Sequence, residues 1–116
     1  MPFPSPRALL IDIYNAAIAG ALPLTATRDA VAALEIPASA RVHVIAIGKA
    51  AVAMSASAVS ALAARNIGVA GGVIVAPPLA TQPPLTAEEP VGPPLPPIVV
   101  GDHPIPKDGS FAAARS

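Results

Sequence analysis

Apolar positions near the start of the chain recur three and four apart. Leu10, Ile13, Ala17 and Ala21 fall on one helical face, flanked by Leu9, Tyr14 and Ile18. Ser5-Pro6 opens this helix with a Ser N-cap and Pro at the first helical position, and Gly20 and Pro23 close it. A second helix is predicted from an N-cap at Thr27, with Asp29 in its first turn, Val31 and Leu34 on its core face and Pro37 as its stop. The pattern then changes. Val42–Ile47 is β-branched or small and apolar apart from His43, which predicts a buried strand. A corner at Gly48-Lys49 leads into a helix over Ala50–Arg65, whose larger apolar residues are spaced by Ala and Ser that allow close approach to a sheet. Asn66 and Gly68 end it. Gly71–Ala76 is predicted as the second strand and Ile98–Val100 as the third.

Strand, helix and second strand together have the size of a βαβ unit, which is right-handed with parallel strands. The fold class expected is α/β, a three-layer, Rossmann-like parallel sheet. Residues 77–97 break the pattern, with prolines at 77, 78, 83, 84, 90, 93, 94, 96 and 97 that exclude a regular helix or central strand. This proline-rich stretch is expected to be a loop insertion without chemistry, its only charges being Glu88 and Glu89. A proline-rich interaction module for SH3-like or WW-like partners is an alternative. After the third strand, Ser110 is expected to cap a helix over Phe111–Arg115, of which the chain contains about one turn. Three parallel strands would also leave both sheet edges unpaired. Residues 1–116 are therefore expected to be the incomplete N-terminal portion of a larger α/β domain, with a second domain outside this chain; a non-catalytic truncated remnant is the alternative.

Composition narrows the choice of partner. Apolar residues make up 53% of the chain and charged residues 12%, so much of the surface needs a cover. Aromatics at 3% argue against nucleic-acid binding by base stacking. Seven basic and seven acidic residues give zero net charge, which provides no electrostatic footprint for DNA, RNA or an anionic membrane. Without cysteine there is no disulfide, thiol catalysis or thiolate metal site. The N-terminal residues lack a signal-peptide core, and the charge-free helical run Ala50–Ala64 is shorter than the ~20 residues of a membrane span. A cytoplasmic protein with a small-molecule substrate, no nucleic acid and no membrane partner is expected.

Two loops leave the C-terminal ends of parallel strands, where open α/β sheets bind ligands. The first is Gly48-Lys49. A lysine at a helix start is mildly disfavoured by the partial positive charge there, unless an anion is held between them. It is not a phosphate loop, because His43 and Ala50 stand where that motif needs Gly and Ser or Thr. No Gly-x-Gly-x-x-Gly occurs either. The open alternatives for Lys49 are an anion ligand and a solvated side chain. The second loop is Gly101–Ser110. His103 is either a hydrogen-bonding or acid/base group or a turn histidine bonded to local backbone. Asp108 and Ser110 are most simply helix caps, and His43 is expected to be packed in the strand. No set of residues suggests a metal centre.

Taken together, Ala46-Ile47-Gly48-Lys49-Ala50-Ala51 with Met54, Gly72-Val-Ile-Val, and His103-Pro-Ile-Pro with Ser110 resemble the N-terminal part of the glycerate kinases that carry a C-terminal MOFRL domain. The resemblance spans most of 8–116 except the proline-rich stretch. It implies ATP- and Mg²⁺-dependent phosphorylation of D-glycerate to a phosphoglycerate, in a cleft between two domains. Lys49 matches the family's Gly-Lys lysine, thought to bind substrate or transferred phosphate. Gly48, His103, Asp108 and Ser110 are then implied as substrate-binding. One departure is Lys107, which stands where the family usually has Asp, with Asp108 one position later.

Overall fold

The computed structural model describes residues 5–78, 92–103 and 105–116. Helices α1 (Pro6–Ala21) and α2 (Pro23–Ala32) precede β1 (Val42–Ile47), α3 (Ala51–Ala63), β2 (Val69–Ala76), β3 (Ile98–Val100) and α4 (Asp108–Ala113). The three strands form a parallel sheet in the order β1-β2-β3. The α/β expectation and all three strands stand, β2 starting two residues earlier than its glycines suggest.

Small side chains bring α3 close to one sheet face. Ala51, Ile74 and Ala76 form the buried core there, with Ala46, Val52 and Leu95 packed against it. Asn66 adopts the left-handed conformation at φ 57 and ends the helical segment, as its type and position predict. The short α4 and the residues just after it contribute Ala113, Ala114 and Ser116 to a hollow whose other wall includes Ile47, Val73 and Val75 of the opposite sheet face. Helices thus lie on both sides of the sheet, the beginnings of three layers.

α2 stacks outside α3 and is tied to it by polar contacts. The Ser57 hydroxyl donates to the Leu24 carbonyl at 2.6 Å. The Arg65 guanidinium donates to the Val31 and Leu34 carbonyls at 2.8 and 2.9 Å, just where α2 ends; the Val31 carbonyl also accepts the Leu34 N–H at 3.2 Å. Arg65→Ala is expected to lower stability by about 1–3 kcal/mol in equilibrium denaturation, with partial recovery in Arg65→Lys, because an ammonium group lacks the fork that reaches both carbonyls.

Three expectations are corrected, two at helix boundaries and one on β1. α2 begins at Pro23, not after Thr27; Leu22 is extended at its N-cap, and Pro23 fits the first helical position, where no N–H is needed. α4 begins at Asp108, so Ser110 is its third residue and Lys107 its N-cap. His43 is exposed, not packed. It shares a face with Ile45 and Ile47, which are 71% and 76% exposed, while α3 covers the face carrying Ala46. The proline-rich loop is described only at its two ends, and prolines 83, 84 and 90 lie outside the described residues.

Much apolar surface lies open. No residue of α1 is buried, and Leu10 and Tyr14 are each 66% exposed. Among the described residues, Pro6–Ala32 is long and apolar enough to cross a membrane, an assignment the charge-free run at α3 does not suggest. Leu22 divides that stretch, and the 16 residues of α1 reach ~24 Å at the helical rise, short of the ~30 Å hydrocarbon thickness. The contacts of α2 with Ser57 and Arg65 also belong to a helix packed on protein.

Candidate functional site

The site is built at the C-terminal ends of the strands. The β1–β2 ladder continues one step past β1, with the Gly48 N–H donating to the Val75 carbonyl at 2.9 Å. Gly48 then takes φ +124, a conformation that disfavours a side chain, and the chain turns away from the sheet. Lys49 follows, exposed, in the turn before α3 rather than in its first helical turn. No side chain caps the N-terminus of α3.

The end of β3 is held similarly. The Gly101 N–H donates to the Ala76 carbonyl at 3.0 Å. A Cβ on buried Gly101 would lie 2.9 Å from Val75 Cγ1, so glycine lets the chain pass close over β2. Beyond it, Asp102 and Ser110 clasp each other. The Ser110 N–H donates to Asp102 Oδ2 at 3.1 Å, and the Asp102 N–H donates to Ser110 Oγ at 3.2 Å. This reciprocal pair fastens the first turn of α4 to the end of β3.

The two ends meet around a hollow of about 480 Å³. Its polar rim carries Gly48, Lys49, Asp102, His103 and Ser110, and its apolar walls include Val73, Val75 and Ala113. Four of the residues singled out in the sequence, Gly48, Lys49, His103 and Ser110, therefore line one space. Asp108 does not line it; it is the first residue of α4 and exposed. Pro104, beside His103, lies outside the described residues.

Asp102 is the residue that sequence reasoning passed over. Its partner is eight positions away, beyond the reach of local capping patterns. The available signal was an Asp directly after a strand-ending Gly, followed by a Ser at a helix start. In chemical terms the hollow offers one ammonium group, an imidazole and the Ser110 hydroxyl facing apolar walls, beside the Asp102 carboxylate, which is engaged by the Ser110 N–H. That combination suits a small anion carrying hydroxyl groups.

The family model described as "Domain of unknown function (DUF4147)" matches residues 9–116. No curated protein and no solved structure matches the chain.

Proposed function

The chain belongs to the DUF4147 family, and on that footing we propose that it is the N-terminal part of an ATP-dependent kinase that phosphorylates D-glycerate to a phosphoglycerate. The DUF4147 domain is the N-terminal part of MOFRL glycerate kinase-type proteins. One observation carries the reading beyond the family: Lys49, His103 and Ser110, drawn from two strand ends, line the same hollow. In this reading Lys49 balances the charge of the substrate carboxylate or the transferred phosphoryl group. His103 and Ser110 bind hydroxyl or phosphoryl oxygens. Phosphoryl transfer depends chiefly on such positioning and charge neutralisation.

The described residues do not fit Mg²⁺ by themselves. They contain no group of three or more His, Cys, Asp or Glu side chains that could hold a metal ion, and the Asp102 carboxylate accepts from the Ser110 N–H. ATP and Mg²⁺ thus enter as requirements of the family resemblance, with ligands outside the described residues. A cytoplasmic location belongs to the same proposal.

The test is to supply D-glycerate and MgATP to this chain alone and to a protein carrying it joined to a MOFRL-type C-terminal domain. Phosphoglycerate is expected from the joined protein only. A folded joined protein that forms none, while handling another acceptor, would remove D-glycerate from the proposal.

A further inference from the structure

We propose that Asp102 is a positioning residue that aims the Ser110 hydroxyl into the hollow as a hydrogen-bond donor to a bound phosphate-like anion. This rests on the reading of the hollow as an anion site served by Lys49. The two clasp bonds fix both the position and the polarity of Ser110. Its N–H is shared between the Lys107 carbonyl at 3.0 Å and Asp102 Oδ2 at 3.1 Å, and its Oγ already accepts the Asp102 N–H. A hydroxyl that accepts one bond keeps one hydrogen to give. Among the described residues no acceptor takes that hydrogen, and Ser110 lines the hollow together with Lys49. Gly109 is fitted to the same arrangement. A Cβ there would stand 2.9 Å and 3.2 Å from the two Asp102 carboxylate oxygens, so a side chain at 109 would displace the carboxylate.

The clasp thus converts a serine that looks like a helix cap into a directed donor in a hollow that Lys49 also lines. A hydrogen bond to an anion is stronger than one between neutral groups. The direction of the hydroxyl therefore matters to binding as well as to the fold.

Calorimetric titration of the chain with inorganic phosphate tests this. Binding by the wild type is expected to weaken by about tenfold or more in Asp102→Ala and in Ser110→Ala. Asp102→Asn keeps an acceptor for the Ser110 N–H and is expected to restore most of the affinity, and Ser110→Thr keeps the hydroxyl. The double variant Asp102→Ala/Ser110→Ala should bind no more weakly than either single variant, because both act through one hydroxyl. Gly109→Ala should mimic Asp102→Ala even though alanine is the better helix former, which keeps the test alive if Asp102→Ala does not fold. Folded Gly109→Ala and Ser110→Ala proteins that bind phosphate like the wild type, while Lys49→Ala does not, would overturn the role of Asp102 and leave the anion site standing. Absence of phosphate binding by the wild type would overturn both.

Discussion

Lys49→Ala is expected to lower phosphoryl transfer to D-glycerate by at least about 100-fold, the scale seen when one preorganised charge-stabilising group is lost, with no change in melting temperature. Both halves follow from its placement. The side chain is exposed, with no hydrogen-bond partner among the described residues, so its removal leaves the core around Ala51 and Ile74 intact. The backbone geometry that presents it belongs to Gly48 and survives the change. Lys49→Arg is expected to recover part of the activity, because a guanidinium keeps the charge but spreads it over a larger planar group than the compact ammonium. The comparison is made as kcat/KM in the protein joined to a MOFRL-type domain, beside a thermal melt of each variant. Wild-type turnover in Lys49→Ala would remove the lysine from the mechanism.

The largest expected effect on stability lies elsewhere, at Gly72. This glycine has φ +150, and a Cβ there would overlap the Val44 carbonyl oxygen and lie within 2.9 Å of the Val44 carbonyl carbon and nitrogen. All of these atoms are backbone, in the strand paired with Gly72. The neighbour cannot swing aside as a side chain would, so Gly72→Ala must pull β1 and β2 apart. The expected cost is more than about 3 kcal/mol, a large share of the 5–15 kcal/mol that typical domains have. Gly71→Ala is the control. Its Cβ would lie 3.3 Å from Nδ1 of exposed His43, an atom at the end of a movable side chain. Chemical denaturation of the two variants should separate them by more than about 2 kcal/mol. Equal stabilities would contradict the close approach of the two backbones.

These glycines also show what could be read from the sequence. β1 and the Gly48 corner were legible because a run of Val and Ile ending in Gly carries its own backbone preference. The covered face was not. Alternation places His43 with Ile45 and Ile47, but only tertiary structure decides that α3 lies on the other side. Pro23 misled for a related reason: the same ring that stops one helix starts the next, and Thr27 offered a more familiar cap. At Ser110 a local rule, hydroxyl before an apolar run, competed with a non-local partner. α4 starts at Asp108, three residues before Phe111, so the serine is its third residue and Asp102 clasps it there. Gly48, Lys49, His103 and Ser110 come to one hollow because they lie at strand ends and near a helix start, positions that are marked in sequence. Asp108, named for its position in a motif, lies off the hollow, and Asp102 was not legible because its contact with Ser110 forms only when α4 folds back to the end of β3.

In the proposed function the Gly48-Lys49 corner and the Gly101–Ser110 segment form one anion site. Amide chemical shifts followed during titration of the chain with a phosphoglycerate test it most directly. The Lys49, Asp102 and Ser110 amides are expected to shift together with a single Kd, and all three responses to vanish in Lys49→Ala. Shifts confined to one of the two segments, or unchanged by Lys49→Ala, would contradict it.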